Sequence, residues 1–576
     1  FRCSGDNHEG MYITSIPNRG STPTLLLRES FREDGKVKNR TLANLTHWPP
    51  KVVEAMQSAL KGGRIVPVDD IEIIASRDHG AAALVLGVLN SLGLPKLIAP
   101  RASRQRSLVL GMIAARILRP STKLALTRWW TTTTLPELLG VEDCDENDLY
   151  EAMDWVAGQQ AAIEQRLASR HLRGGSLVLY DISSSYLTGR HCPLAAHGYS
   201  RDHRGDRPQV VFGVLTDAEG CPVAVEVFEG NTADSTTVLG QIEKVKTRFG
   251  LSHLVFVGDR GMIKRTQVEA LRAMGGVDWV SALTSKQLQG IRDQGAIQLE
   301  LFDQRNLVEI ESPDFPGERL VICRNPALAA ERSRKREALL QATEDSLRAL
   351  QSNVQAGRLK DPEKITLRAG RLVNRKKMGK HFILDFGPGH FAFRRDEDQI
   401  RYEAELDGFY AIRSSLTHEQ EPEPANLVRT YKRLAQVERV FRSMKTVDLL
   451  VRPIHHRTET RVRAHIFLCM LSAHVIWHLN RRLEAYLFAD PELRALHETE
   501  DPVTPIERSA EGHRKVSELT SYDDHPLHSL KTLLKEMGTL TRVSMQIRGQ
   551  PHPPWSKDAT PSSFQRAVFT AAGIEV

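Results

Sequence analysis

The sequence predicts a mixed α/β domain that is preceded by a helical region and interrupted by a large insertion. Apolar residues recur with helical spacing over residues 51–173. Strand-like apolar runs alternate with helical stretches over 174–284, and the alternation resumes over 401–490 after a charged block at 285–400. A chain of 576 residues is long enough for three or four domains of about 150 residues each.

The two ends of the chain are predicted to lie outside these domains. Residues 1–50 form a lead-in with a hairpin, because Asp34-Gly35 is a turn signal between strand-like runs. The first ten residues are polar and patternless, and Met11 is a candidate natural start. Residues 491–576 are rich in Pro and His and are predicted to form a C-terminal appendage.

Two aspartates stand at the ends of predicted strands. An apolar run over 177–180 leads directly into Asp181, and a second over 254–257 leads through Gly258 into Asp259. Carboxylates at strand ends can converge at one edge of a sheet. Each aspartate taken alone is more typical of a turn or a helix cap.

The charged block at 285–400 is predicted to be an insertion with a long helix at about 327–354. Its basic run is either a solvated face or a strip that binds phosphate. The run comprises Arg368, Arg371, Arg375, Lys376, Lys377 and Lys380.

A helix that begins near Ala425 carries Glu438. Tyr431 lies seven residues before Glu438 and Lys445 seven residues after it, so the three side chains share one stripe of the helix. Apolar residues such as Val437 supply a neighbouring buried face that would hold Glu438 at the margin of the core. An ordinary amphipathic helix is the alternative.

Asp181, Asp259 and Glu438 form a candidate set of metal ligands. Two hard cations can align a nucleophile on a phosphodiester, stabilise the leaving oxygen and neutralise phosphoryl charge. Mg²⁺ takes oxygen ligands and keeps several waters, so a few carboxylates on rigid elements suffice.

Composition narrows the classes of function. A formal charge of +7 favours an anionic partner. The six cysteines contain no C-x-x-C pair, which indicates reduced thiols in a cytoplasmic protein rather than a disulfide framework or a zinc site. No apolar run approaches the roughly 20 residues of a membrane span. P-loop, H-E-x-x-H and G-x-S-x-G motifs are absent from the sequence.

Five ordered motifs carry a resemblance to a known family. They are Tyr180-Asp181-Ile-Ser-Ser-Ser, residues 198–210 (GYSRDHRGDRPQV), residues 228–234 (FEGNTAD), Val257-Gly-Asp259-Arg-Gly-Met, and the stretch from Tyr431 to Lys445. With these the chain resembles bacterial insertion-sequence transposases of the DDE type. It resembles in particular the insertion-sequence-4-like group, whose third acidic residue lies in a Y-x2-R-x3-E-x6-K pattern.

The resemblance implies an RNase H-like core in which Asp181, Asp259 and Glu438 are catalytic and hold two Mg²⁺ or Mn²⁺ ions. It implies that the helical region at 51–173 binds terminal inverted repeats and that Tyr431 and Lys445 contact DNA phosphate. Leu434 stands where the pattern has Arg, and Arg433 or Arg442 is the candidate substitute. Further candidate DNA contacts are Arg201, Arg204, Arg260, Arg375, Lys376 and Lys377, with a second basic segment at 452–463.

The function implied is DNA transposition by metal-dependent strand cleavage and strand transfer. The partners expected are double-stranded DNA, as element ends and target, and a second copy of the chain on that DNA. The protein is expected in the bacterial cytoplasm with the nucleoid, without a membrane. The alternatives are an RNase H-like nuclease that never joins strands and an inactive DNA-binding derivative.

Overall fold

The computed structural model describes residues 10–63, 65–189, 191–303, 305–549 and 553–575. Cys3 and the first nine residues lie outside the described residues. The chain divides into two compact units. One comprises the chain up to Arg77 with Thr541–Ala559, and the other comprises Asp78–Leu540 with Thr560–Val576.

The first unit is built from two small sheets and one helix. Strands and helices are numbered in chain order: β1 Gly10–Asn18, β2 Ser21–Glu33, β3 Lys36–Asn44, α1 Pro50–Leu60, β4 Ile71–Asp78, β15 Thr541–Ile547 and β16 Trp555–Asp558. The first three strands form an antiparallel sheet in which Asp34-Gly35 turns β2 into β3. The predicted hairpin is therefore part of a three-stranded sheet.

A second sheet in this unit has the order β16-β15-β4. The strand β4 lies in the region predicted as helical, and β15 and β16 come from the predicted C-terminal appendage. Isoleucines at positions 71, 73 and 74 favour a strand because β-branched side chains fit a pleated surface. The helical prediction for 51–173 is therefore wrong over β4.

The second unit begins with six helices. They are α2 Gly80–Ser91, α3 Leu94–Ile98, α4 Arg104–Leu118, α5 Lys123–Trp130, α6 Leu135–Leu139 and α7 Glu146–His171. The long α7 starts at a capping box made by Asp145 and Asp148, which accept hydrogen bonds from each other's backbone amides.

A mixed sheet follows. Its elements are β5 Ser176–Tyr186, β6 Gln209–Thr216, β7 Pro222–Glu229, α8 Asp234–Glu243, β8 Leu254–Gly258, α9 Arg265–Met274 and β9 Val277–Ala282. In the order β7-β6-β5-β8-β9, the first two pairings are antiparallel and the last two are parallel. This is the RNase H-like core that the resemblance implied.

Three more strands extend the sheet beyond β9 to eight strands. The sheet continues through β14 Phe409–Ser414 to β11 Arg319–Arg324 and β10 Leu307–Ile310, and α10 Ser285–Asp293 connects β9 to this part. Because β10 and β11 come from the block at 285–400, the first part of the predicted insertion belongs to the main sheet.

The rest of that block forms a separate hydrophobic cluster. It comprises α11 Pro326–Gln355, α12 Pro362–Arg375, β12 Phe382–Gly387, β13 His390–Arg395 and α13 Glu397–Ala404. The observed α11 agrees with the long helix predicted near 327–354.

The remaining helices are α14 Pro424–Lys432, α15 Leu434–Arg442, α16 Glu459–Arg482, α17 Pro491–Thr499, α18 Ala510–Glu518, α19 Leu530–Met537 and α20 Ser563–Ala572. Short 3-10 or π segments occupy Val68–Asp70, Lys244–Arg248, Leu299–Asp303, Gly379–His381, Ser443–Val447 and Glu484–Tyr486.

Helix α16 is the central helix of the second unit. Among the described residues it is the one helix long and apolar enough to cross a membrane, with a mean hydropathy of 1.3 over its most apolar window. In the fold, 83% of that window is buried, and the helix packs against α4, α7 and β7. It therefore serves as a core helix.

Candidate active site

Asp181 and Asp259 lie side by side on neighbouring parallel strands. Tyr180 of β5 pairs with Gly258 of β8, so the residues that follow them are adjacent across strands about 4.8 Å apart. Asp259 directly follows the end of β8, as the sequence predicts.

Asp181 does not end its strand, which corrects the prediction. Strand β5 continues to Tyr186 because residues 181–186 remain paired with β6. Ser183, Ser184 and Ser185 are buried in this extension. The strand was predicted to end too early because these three residues are polar.

Helix α15 carries Glu438 on an exposed face and packs with its apolar face on the sheet. Val437 and Phe441 are buried, and the Phe441 ring centroid lies 5.6 Å from that of Phe212 in β6. This apolar contact fixes the rotation of the helix, so Glu438 is held at the margin of the core.

Two hydrogen bonds tie the segments on either side of α15 to the strands. The Tyr431 hydroxyl donates to Asp259 Oδ1 at 2.9 Å, and Lys445 Nζ donates to Ser183 Oγ at 3.0 Å. The predicted single helix around Glu438 is wrong, because Tyr431 lies in α14, Glu438 in α15 and Lys445 in the π segment Ser443–Val447. Asp181 and Asp259 are neighbours across the strands, and Glu438 is near enough for its charge to raise the pKa of Asp181.

Negative charge collects at this place. Burial raises the pKa of Asp181 to about 7, and the charges of Asp259 and Glu438 add to the rise, whereas the hydrogen bond from the Ile182 amide and the positive charge of Arg201 oppose it. In the ranges that the structure describes, none of the three carboxylates forms a salt bridge. Carboxylate oxygens arranged in this way fit a divalent cation, which takes such ligands.

Lys445 is buried rather than presented to DNA. Its Nζ lies 2.5 Å from Asp202 Oδ1, and Arg452 pairs with the same carboxylate. Burial lowers the pKa of Lys445, although the Asp202 carboxylate opposes the shift. Sequence reasoning missed Asp202, whose one signal is its place in the matching stretch 198–210.

Several predicted DNA contacts are paired within the chain. Arg201 donates to both oxygens of Asp234, and Arg204 pairs with Asp206. In the basic segment at 452–463, Arg461 pairs with Asp154 in addition to the pair that Arg452 forms. These charges are compensated inside the protein.

Arg433 faces away from Glu438. Five residues place it about 140° around a helix from Glu438. Its guanidinium pairs with Glu498, and it lines a cavity together with Arg439 and Arg442. Leu434 is buried at the position where the pattern has Arg. Arg433 therefore does not take the place of the missing arginine at the carboxylates.

Other predicted basic residues remain available. Arg260 is exposed beside Asp259, and its backbone amide donates to Asp259 Oδ1 at 2.7 Å. At the end of α12, Arg375 and Lys377 are exposed and Lys376 is half-buried. Among the described residues, no acidic side chain pairs with these last three.

Helix α15 also touches the turn between β6 and β7. Gly220 has a φ of +82°, and a Cβ built on it would lie 2.5 Å from Gln436 Cβ. Only glycine fits between this turn and the helix without displacing one of them.

Gly220→Ala is therefore expected to lower the free energy of unfolding by about 1–3 kcal/mol and to reduce DNA cleavage, because it pushes α15 and Glu438 outwards. Gly250→Ala is the matched control, since Gly250 has a φ of +73° with open space around its Cβ position. Denaturant unfolding and a cleavage assay compare the two. Equal cleavage by both variants would contradict the contact's role.

Two family models match this chain. The family described as "Transposase DDE domain" matches residues 176–475, more than half of the chain, and "IS1634 family transposase, N-terminal domain" matches residues 12–65. A cryo-EM structure of the piggyBac transposase synaptic complex with hairpin DNA is similar at 10% identity and a TM-score of 0.33, over 77% of this chain and 85% of that chain. A search of curated proteins finds no match. The chain thus belongs to the DDE transposases and is a transposase of the insertion-sequence type.

Proposed function

We propose that this transposase cleaves and joins DNA with Asp181, Asp259 and Glu438 as the ligands of two divalent cations, Mg²⁺ or Mn²⁺. DDE transposase domains in general use divalent metal ions. The observation that supports the assignment is that Asp181 and Asp259 are neighbours on parallel strands with Glu438 close to them, while none of the three forms a salt bridge in the described part of the chain. Magnesium-type ligand sets need only such a small number of carboxylates.

When bound, the cations supply an activated oxygen nucleophile, stabilisation of the leaving oxygen and neutralisation of phosphoryl charge. The chain supplies rigidity. Tyr431 orients Asp259 through its hydroxyl, and the ion pair of Lys445 with Asp202 holds the π segment that follows α15. No ATP is needed in strand transfer, because one phosphodiester is exchanged for another.

We further propose that Tyr431, Glu438 and Lys445 serve as the tyrosine, glutamate and lysine of the Y-x2-R-x3-E-x6-K pattern. In this chain Tyr431 hydrogen-bonds to the Asp259 carboxylate and Lys445 pairs with the buried Asp202, so both have a structural role besides any contact with DNA. Leu434 and the N-terminal match to the IS1634 family mark departures from the insertion-sequence-4-like group.

The DNA is proposed to be double-stranded, with the region at 51–173, which is helical apart from β4, binding terminal inverted repeats. Two ends must be cut together, so two copies of the chain are expected on the DNA. Location in the bacterial cytoplasm with the nucleoid follows from that partner.

The exposed basic end of α12 is proposed to hold the DNA backbone. Replacing Arg375, Lys376 and Lys377 by Ala is expected to lower the slope of log affinity against log salt by roughly 2.7, since each phosphate contact contributes about 0.9. Lys335, Arg348 and Arg401 are the matched triple control, because each is already paired with an acidic neighbour. Salt titrations of DNA binding measure the slope for each triple variant. Equal slopes for the two variants would exclude the end of α12 as a contact to the DNA backbone.

The test of function uses linear DNA that carries the sequences flanking the gene. With Mg²⁺, cleavage at the element ends followed by joining to target DNA is expected. Cleavage without joined products would favour the nuclease alternative. Binding without cleavage would favour an inactive derivative.

A further inference from the structure

A second cluster of ligand-type side chains lies outside the carboxylate site. His171 ends α7, Cys221 precedes β7, and His474 and His478 lie on α16. One ligand atom from each lies within 4.8 Å of the others. We propose that these four residues form a structural Zn²⁺ site.

The donor set selects the metal. Zn²⁺ is bound in closed tetrahedral sites by cysteine sulfur and histidine nitrogen, whereas Mg²⁺ takes oxygen ligands. Bond lengths of about 2.0–2.3 Å imply ligand separations of roughly 3.3–3.8 Å. The ligand atoms of the cluster lie within 4.8 Å of one another, so the cluster needs to contract by only about 1 Å.

His474 and His478 are one helical turn apart, which places both rings on one face of α16. Cys221 and His474 are buried, with 0% and 2% of their surface exposed. Within the described part of the chain, the buried His478 Nε2 has no hydrogen-bond partner. An unpartnered buried nitrogen beside a thiol and two further imidazoles is costly unless a cation binds there.

Two of the imidazoles form hydrogen bonds of the kind that usually orient metal-binding histidines. His171 Nδ1 lies 3.0 Å from Asp217 Oδ2, and His474 Nδ1 lies 2.9 Å from the Pro222 carbonyl oxygen. Such bonds fix the tautomer and leave Nε2 of each ring for a metal.

Asp217 also links His171 to the cysteine. Its Oδ1 accepts the backbone N–H of Cys221 at 2.9 Å, which shapes the turn that presents the thiol. Its negative charge balances the single positive charge that Zn²⁺, one thiolate and three neutral imidazoles would leave. The spacing of the cysteines in the sequence does not reveal this site, because its ligands come from three separate segments.

The site would staple α7, the β6–β7 turn and α16 together. Gly220 in that turn packs on Gln436 of α15, so the staple also supports the helix that carries Glu438. The proposal does not depend on the assignment of the carboxylates, because the two sites use different ligands.

The test measures metal in the full chain purified from zinc-supplemented cells and gel-filtered without chelator. About one Zn²⁺ per chain is expected, and Co²⁺ added to the stripped protein is expected to give a thiolate-to-cobalt absorption band. Cys221→Ser is expected to lose the band and at least 90% of the zinc. Cys469→Ser, another buried cysteine, and Asp181→Asn are expected to keep both.

Wild-type protein that carries no stoichiometric zinc and gives no cobalt band would overturn the proposal, even if the Cys221 variant fails to fold. Retention of zinc and the band by a folded Cys221→Ser variant would also overturn it. Loss of zinc in Asp181→Asn would place the metal at the carboxylates instead.

Discussion

Glu438→Gln is expected to lower the rate of DNA cleavage by about 10³-fold and to leave binding of the element ends unchanged. The amide removes one negative ligand from the carboxylate cluster but keeps the size of the side chain. Each tenfold change in rate corresponds to about 1.4 kcal/mol. The expected factor therefore corresponds to a loss of about 4 kcal/mol in the stabilisation of charge in the transition state.

The measurement is single-turnover cleavage of labelled element ends with Mg²⁺, together with a binding titration. Glu423→Gln is the matched control, because Glu423 is exposed just before α14 and lies outside the carboxylate cluster. Cleavage by Glu438→Gln at the parent rate would refute the role of Glu438.

Asp202→Asn is expected to lower the free energy of unfolding of the second unit by about 3–5 kcal/mol. Its carboxylate is 1% exposed and pairs with both Lys445 and Arg452, so the substitution leaves two cations in the interior without a counter-charge. Removing one partner of a buried ion pair costs more than removing the whole pair.

Denaturant unfolding provides the measurement, with Asp206→Asn as the control from the same loop. Asp206 is 62% exposed in its pair with Arg204, so its substitution is expected to leave the unfolding midpoint nearly unchanged. Adding Lys445→Met to Asp202→Asn is expected to restore part of the stability. Equal unfolding midpoints for Asp202→Asn and Asp206→Asn would show that the buried pairing of Asp202 does not stabilise the fold more than the exposed pair does.

Local patterns mark the three carboxylates as candidates, and the resemblance carried by five motifs singles them out. Apolar runs lead into Asp181 and Asp259, which the structure places on neighbouring strands. The single helix predicted around Glu438 is instead divided into α14, α15 and a π segment. The end of β5 was misplaced because three serines look like a turn until β6 covers them.

Contacts between distant segments could not be predicted in this way. Asp202 meets Lys445 only after β5, α15 and the intervening loop are packed, and Tyr431 finds Asp259 across the same gap. Strands β10 and β11 were assigned to an insertion because β11 joins the main sheet by pairing with β14, which links residues about 90 positions apart. Nearness in the sequence can also mislead. Arg433 is close to Glu438 in the chain, yet its side chain faces away from Glu438 and pairs with Glu498.

The most direct test of the central claim is a crystal structure of the transposase with bound Mn²⁺, read by anomalous scattering. The account predicts two Mn²⁺ peaks, with carboxylate oxygens of Asp181, Asp259 and Glu438 among their ligands. Peaks held by the two aspartates alone, with the Glu438 carboxyl more than about 10 Å away, would contradict it.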